Sequence, residues 1–250
     1  MKILVVSDSF KGSMSSKEVG MTICDYYRNH NLKAVYLPIS DGGEGFLDAI
    51  NYSLQLEKEH MSVEDANFNN TEASYIIDQK NKIAYLELAQ AIGLAKLDKD
   101  ELNALYASSF GFGHLMKEII LKYQVKKIII GIGGSATSDL GCGMLEALGV
   151  EFIDKDGFLI KKMCNAKLMK VKKIRTKSFE QLIKGIDFIT LNDVTNPLLG
   201  TKGSIATFAK QKGASDNQLF FMEQNLSHIF KLLKNHYQEN LVDFEGAGAA

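Results

Sequence analysis

Apolar positions along this chain come in short bursts, and each burst runs into a loop rich in glycine and acidic residues. Residues 3–6 form a fully apolar run, as in a buried parallel strand. The loop Ser7-Asp8-Ser9-Phe10-Lys11-Gly12-Ser13 follows. Ser15 and Glu18 then have the spacing of a capping box and open a helix to about residue 28. Residues 34–37 predict a second strand, which ends in Pro38-Ile39-Ser40-Asp41-Gly42-Gly43-Glu44-Gly45, and residues 46–54 predict a second helix. This β-loop-α-β-loop-α rhythm is that of a parallel α/β sheet.

Residues 56–80 are polar and read as irregular, so a domain boundary is placed near residue 56. Residues 83–88 predict a strand. Ser108-Ser109-Phe110-Gly111-Phe112-Gly113 reads as a loop before a helix at 114–123. Residues 127–130 predict a strand that feeds Gly131-Ile132-Gly133-Gly134-Ser135-Ala136-Thr137-Ser138-Asp139, followed by a helix to about residue 148. A short strand is expected at 150–153, with a turn at Asp156-Gly157, whereas the lysine-rich residues 161–185 give no clear pattern. Residues 186–191 predict a strand ending at Asn192-Asp193-Val194-Thr195-Asn196-Pro197. Ser215 then caps a long helix to about residue 236, with Leu219, Met222, Leu226, Ile229 and Leu233 on its buried stripe.

Composition narrows the classes. The chain has 250 residues, 46% of them hydrophobic, enough for one or two domains with sizeable cores. A formal net charge of -1 points away from nucleic acid and from a membrane surface as main partner. The 3 cysteines are odd in number and form no CxxC, which fits a reducing cytoplasm better than a disulfide framework. No run approaches the ~18 apolar residues of a membrane span.

Candidate chemistry sits in the loops. The Gly131–Asp139 stretch lies between a predicted strand and a predicted helix, where glycines admit a ligand close to the backbone and the first helical amides would favour phosphate or carboxylate. Ser135 and Thr137 add hydroxyls, and Asp139 could hold a metal. The same residues also match a dinucleotide fingerprint, Gly131-x-Gly133-x-x-Ala136, with Glu151 where a ribose-binding acid would belong. A Walker A motif and a GxSxG elbow are both absent. Asp8 and Lys11 follow the first strand. Asp41, Gly42, Gly43 and Glu44 follow the second, where two acids could bind Mg²⁺ or accept a hydroxyl proton. Asp193 and Asn196 follow a later strand. Each loop alone has a plain reading as a turn or a helix cap. If the strands are parallel, however, the loops gather at one edge and supply the parts of a phosphoryl-transfer site.

Taken together, these motifs resemble the bacterial glycerate kinases. The resemblance runs from Asp8-Ser9-Phe10-Lys11-Gly12-Ser13 through Asp41-Gly42-Gly43-Glu44-Gly45, the Gly131–Thr137 loop, Asp139, Gly141, Gly143-Met144 and Ala147-Leu148-Gly149. It continues through Asp193-Val194-Thr195-Asn196-Pro197-Leu198 and Gln211-Lys212-Gly213-Ala214 to Gly246-Ala247-Gly248-Ala249-Ala250. The chain differs from the family pattern at Leu102, Ala104, Ser138 and Ala209-Lys210. The resemblance implies a two-domain α/β fold: a Rossmann- or flavodoxin-like parallel sheet begun by residues 1–55, an inserted α/β domain at 56–240, and a return segment at 241–250. It also implies that a family chain continues beyond this segment to complete the first domain. The implied activity is ATP- and Mg²⁺-dependent phosphorylation of D-glycerate to 2-phosphoglycerate in the cytoplasm, with a homodimer left open. On this reading Lys11, Asp41 and Asp193 are catalytic. Asp8, Ser9, Gly42, Gly43, Glu44, Gly133, Gly134, Ser135, Thr137, Asn196 and Lys212 bind substrate and phosphate, and Asp139 and Asp193 hold the metal. An NAD(P)-dependent oxidoreductase built on the Gly131 loop, and an inactive kinase remnant, stand as alternatives.

Overall fold

The computed structural model describes residues 1–8, 10, 13–237 and 245–249. It begins with β1 (Lys2–Ser7), α1 (Ser16–Asn29), β2 (Lys33–Pro38) and α2 (Phe46–Leu54). β1 and β2 pair in parallel, Lys2 opposite Lys33 through Ser7 opposite Pro38. The capping box at Ser15 and Glu18 forms as its spacing predicts, with both reciprocal hydrogen bonds present. α1 covers one face of this pair, where Val5, Cys24, Ala34 and Tyr36 are buried. The other face carries Leu4, Val6, Val35 and Leu37, all exposed. The fully buried strand expected from the apolar run is therefore buried on one side only among the described residues.

Residues 56–80, expected to be irregular, form a hairpin of β3 (Lys58–Glu64) and β4 (Asn70–Asp78). Asp65 makes its turn by accepting the amides of Asn67 and Asn69 at 2.8 and 2.9 Å. The hairpin continues into β5 (Ile83–Glu87), a short helix α3 (Ala89–Ile92), α4 (Phe110–Tyr123), β6 (Lys127–Gly131), α5 (Cys142–Ala147) and β7 (Glu151–Ile153). The lysine-rich stretch resolves into a 3₁₀ turn at Asn165–Lys170, β8 (Lys173–Arg175) and α6 (Lys177–Ile183). β9 (Asp187–Leu191), α7 (Ser204–Phe208), a 3₁₀ turn at Lys210–Lys212 and α8 (Asp216–Tyr237) complete the order.

The main sheet runs β3-β4-β5-β6-β9, antiparallel at its first two junctions and parallel from β5 to β9. Helix α4 buries Phe112, Leu115, Met116 and Ile119 against it. The glycines of Phe110-Gly111-Phe112-Gly113 lie inside this helix rather than in a loop before it. A Cβ on Gly111 would lie 1.7 Å from the Glu64 carbonyl oxygen, and one on Gly113 would lie 2.4 Å from that of Met144. These two glycines thus serve close packing of α4 on β3 and α5. On the opposite side, α2 places Phe46 and Leu47 against Ile76 and Tyr85. A second core gathers Met222, Leu226 and Ile229 of α8 with Phe152, Met163, Leu168 and Val171. The stripe expected on α8 is the face that packs.

Candidate active site

The loops after β1, β2, β6 and β9 meet. The amide of Asp41 donates to Oδ2 of Asp8 at 3.3 Å, which joins the first loop to the second. The amide of Gly133 donates to the Gly42 carbonyl at 3.1 Å, and that of Ile132 to the Leu191 carbonyl at 3.2 Å. The second loop therefore lies directly on the Gly131–Asp139 loop and on the end of β9. Such contact requires glycine. A Cβ at Gly133 would sit 2.7 Å from Gly43 Cα, and one at Gly42 would sit 2.4 Å from the Leu191 carbonyl oxygen. From the far side, Gly248 donates to the Asn196 carbonyl at 3.0 Å, so the Gly246–Ala249 turn backs the loop after β9.

The inward side of the glycine loop is gripped by buried polar groups. Lys212, only 5% exposed, donates from Nζ to Ser135 Oγ at 2.8 Å and to the Thr137 carbonyl at 2.6 Å. Burial pulls its pKa down to about 8, against a smaller opposing pull from the Asp139 carboxylate. Asn165 donates to the Ser138 carbonyl at 2.9 Å and is itself held by Asn225 of α8, whose Nδ2 lies 3.0 Å from Asn165 Oδ1. The amides of Gly134 and Ser135 have no protein acceptor among the described residues.

Asp139, expected to hold a metal, is buried and hydrogen-bonded within the protein. It is 1% exposed, and its Oδ2 accepts from the Ser109 amide at 2.9 Å, the Ser109 hydroxyl at 2.8 Å and the Gly143 amide at 3.0 Å. Burial pushes its pKa up, and these donors push it back down. The amide of Met144 is taken by Ser109 Oγ at 2.8 Å. The first amides of α5 are thus spent within the protein, and the expectation that they face a ligand is corrected. Nor does the dinucleotide pattern form its turn. α5 begins only at Cys142, and Glu151 is ion-paired with Arg175 at 3.2 Å in the β7–β8 pair.

Asp41 and Asp193 are exposed. Oδ1 of Asp41 accepts the Gly43 amide at 2.7 Å. Asn196 donates within its own loop, to the Lys202 carbonyl at 2.8 Å and Thr207 Oγ1 at 3.2 Å. Glu44 reaches the glycine loop: a Cβ on Gly134 would be 3.8 Å from its Oε1. Ser9 and Lys11 lie outside the described residues.

Glu87 went unnoticed in the sequence. It ends β5 opposite Gly131, is 1% exposed, and accepts the Leu47 amide at 3.1 Å and the Gln90 side chain at 3.3 Å. It caps α2 immediately after the Asp41–Gly45 loop, where a carboxylate also complements the helix dipole. Burial raises its pKa. The available signal was an acid closing an otherwise apolar strand.

Among the described residues no three or more His, Cys, Asp or Glu side chains cluster as an all-protein metal cage. Mg²⁺ is commonly held by one or two carboxylates together with substrate phosphates, and the exposed carboxylates of Asp41 and Asp193 fit that donor set. No helix among the described residues is long and apolar enough to cross a membrane.

Mixed α/β architecture with glycine-rich loops stacked at the strand ends defines an open α/β protein, a class in which ligands bind at the carboxyl edge of the strands. The sequence pattern of the glycerate kinase family matches residues 3–250, and the chain belongs to that family. It is 34% identical to the glycerate kinase of Halalkalibacterium halodurans, over 99% of this chain and 65% of that one. It is 35% identical to the glycerate 2-kinase of Escherichia coli, over 100% of this chain and 66% of that one. A crystal structure from Salmonella typhimurium LT2, assigned as glycerate kinase 2, superposes with a TM-score of 0.88 at 32% identity, over 100% of this chain and 67% of that one. The chain spans just under two thirds of the length of the curated relatives it matches.

Proposed function

We propose that this chain carries the phosphoryl-transfer site of a kinase that uses ATP and Mg²⁺ to convert D-glycerate to 2-phosphoglycerate in the cytoplasm. The observation that carries the reading is the stacking of the Asp41–Gly45 loop on the Gly131–Asp139 loop through Gly42 and Gly133. It sets exposed carboxylates beside a glycine-rich surface with unspent amides, the combination phosphoryl transfer requires. The likeness to glycerate kinases supports glycerate as the acceptor.

In the reaction, a glycerate hydroxyl oxygen bonds to the γ-phosphorus as the bond to the β–γ bridging oxygen breaks and ADP leaves. Asp41 or Asp193 accepts the hydroxyl proton and orients the attacking oxygen. Gly133, Gly134, Ser135 and Thr137 cradle the phosphates, with Gly42, Gly43 and Glu44 forming the facing wall. Lys212 acts from beneath, fixing Ser135 and Thr137 and placing a positive charge under the cradle. Lys11 balances the charge of the transferring group. Asp8 and Ser9 bound the acceptor side, and Asn196 shapes the loop that presents Asp193. Asp193 or Asp41 would hold Mg²⁺, which would supply charge neutralisation for the phosphates. Coupled detection of ADP release, with D-glycerate and Mg²⁺-ATP, tests the reading. ADP release dependent on D-glycerate supports it, and turnover indifferent to D-glycerate refutes the acceptor assignment.

A further inference from the structure

A cavity of about 450 Å³ opens between the start of α1 and α2, beside the stacked loops. Phe10 and Met14 form one rim, held by paired backbone hydrogen bonds of 2.8 and 3.1 Å between them. Phe10 is 60% exposed there. Asp48, Asn51 and Tyr52 of α2 form the opposite wall. The floor is fixed: Tyr36 hydroxyl and Ser16 Oγ share a hydrogen bond of 2.5 Å, and Tyr52 hydroxyl donates to the Tyr36 carbonyl at 3.3 Å. Glu44 borders both this cavity and Gly134, so cavity and glycine loop are contiguous.

Size and chemistry both argue against the three-carbon acid as occupant. The volume lies in the range of sites for drug-sized ligands, about 300–1,000 Å³, and glycerate would leave most of it empty. A carboxylate is best received by an arginine fork. The only arginines of the chain, Arg28 and Arg175, are paired elsewhere, with Asp25 and Glu151. Among the described residues the lining offers Lys17 as its cation beside the carboxylates of Glu44 and Asp48, and Oδ1 of Asp48 is taken by Lys58 at 2.7 Å. What the walls present is a flat apolar rim and a set of acceptors. Asn51 spends its Nδ2 on the Leu56 carbonyl at 2.7 Å, leaving Oδ1 to accept, and Glu44 and the second oxygen of Asp48, whose first oxygen pairs with Lys58, accept as well. A neutral, flat group bearing hydroxyls and an exocyclic amine complements that surface.

We propose that this cavity receives the nucleoside of the phosphoryl donor, with its ring against Phe10 and Met14 and its hydroxyl and amine donors on Asp48, Asn51 and Glu44. The phosphates then extend to the neighbouring glycine loop. The assignment rests on the ATP-dependent reading above and adds to it where the base and sugar lie.

Photolabelling of the unmodified protein with 8-azido-ADP, followed by peptide mapping, tests it. Label on Phe10–Lys17 or Asp48–Tyr52 that is lost on adding ADP is the expected result; specific label elsewhere overturns the assignment while leaving nucleotide use intact. Absence of ADP-protected label, together with no heat of ADP binding in calorimetry, overturns both this assignment and the ATP reading. Ala49 lines the same cavity. Its replacement, Ala49→Trp, fills the space and should weaken ADP binding by roughly tenfold or more while D-glycerate saturation moves less than about twofold. The reverse pattern, with D-glycerate weakened and ADP unaffected, assigns the cavity to the acceptor and overturns the proposal.

Discussion

The amide of Gly133 donates to the carbonyl of Gly42 across 3.1 Å, with no side chain between the two loops. Each loop belongs to a different sheet, one after β2 and one after β6, so this contact joins the two-stranded sheet to the five-stranded one. A methyl group on Gly133 would have to displace the backbone at Gly43, 2.7 Å away. Gly133→Ala is therefore expected to cost about 1–3 kcal/mol of stability, as overpacking does, and to lower turnover further by separating the acids from the loop. Urea denaturation and steady-state assay of the same variant check both.

The carboxylates divide by burial. Asp139 lies inside with three donors on one oxygen, whereas Asp193 is exposed. Asp139→Ala removes the acceptor of two buried amides and should cost at least about 1–3 kcal/mol, leaving the Mg²⁺ concentration for half-maximal activity unchanged. Asp193→Asn should leave the melting temperature nearly unchanged and raise the Mg²⁺ requirement. Paired melting curves and Mg²⁺ titrations distinguish the two. The opposite assignment follows if the Asp139 variant shifts the Mg²⁺ curve.

Lys212 makes stability depend on pH in an identifiable direction. Burial lowers its pKa from the ordinary 10.5 to about 8. Between these values the unfolded chain binds the proton and the folded chain does not, so this residue makes stability rise with pH from about 8 to about 10.5. Below about pH 8 the full cost of burying the charge is present, on the order of 3 kcal/mol. Lys212→Met should remove the rise across that window. Urea unfolding at several pH values between 8 and 10 measures it, and an unchanged slope in the variant would contradict the account.

Glu87 ties α2 to β5. Glu87→Leu strands the Leu47 amide and should cost about 1–3 kcal/mol, while Glu87→Gln, which keeps an acceptor, should cost less. Because burial disfavours the ionised carboxylate, Glu87→Gln should also flatten a loss of stability that the native residue produces as pH rises past the ordinary carboxylate range. Thermal melts from pH 4 to 8 test both statements.

Local signals were legible wherever a residue type has one strong use. The Ser15–Glu18 box, the α8 stripe and the acid-bearing loops after strands were all readable in this way. The β3–β4 hairpin was not. Its first strand buries Val63 among polar neighbours, the buried run Tyr75, Ile76 and Ile77 comes only toward the end of the second, and its turn depends on Asp65 accepting two amides rather than on an Asn-Gly pair. Gly111 and Gly113 looked like loop residues because the close approach of Glu64 and Met144 is a tertiary fact. Glu87 and Asp139 depend on tertiary partners in the same way. Whether an acid faces solvent, a metal or buried amides is fixed by partners far along the chain, here Leu47 and Ser109. The meeting of the loops could be inferred from their shared position after strands, but the hydrogen bonds that lock them together could not.

The central claim is phosphoryl transfer to a glycerate hydroxyl at the stacked loops. It is tested most directly by following D-glycerate and Mg²⁺-ATP with the protein by ³¹P NMR. The account predicts a growing phosphomonoester signal of 2-phosphoglycerate in step with ADP. ADP accompanied only by inorganic phosphate, or spectra unchanged from the protein-free mixture, would contradict it.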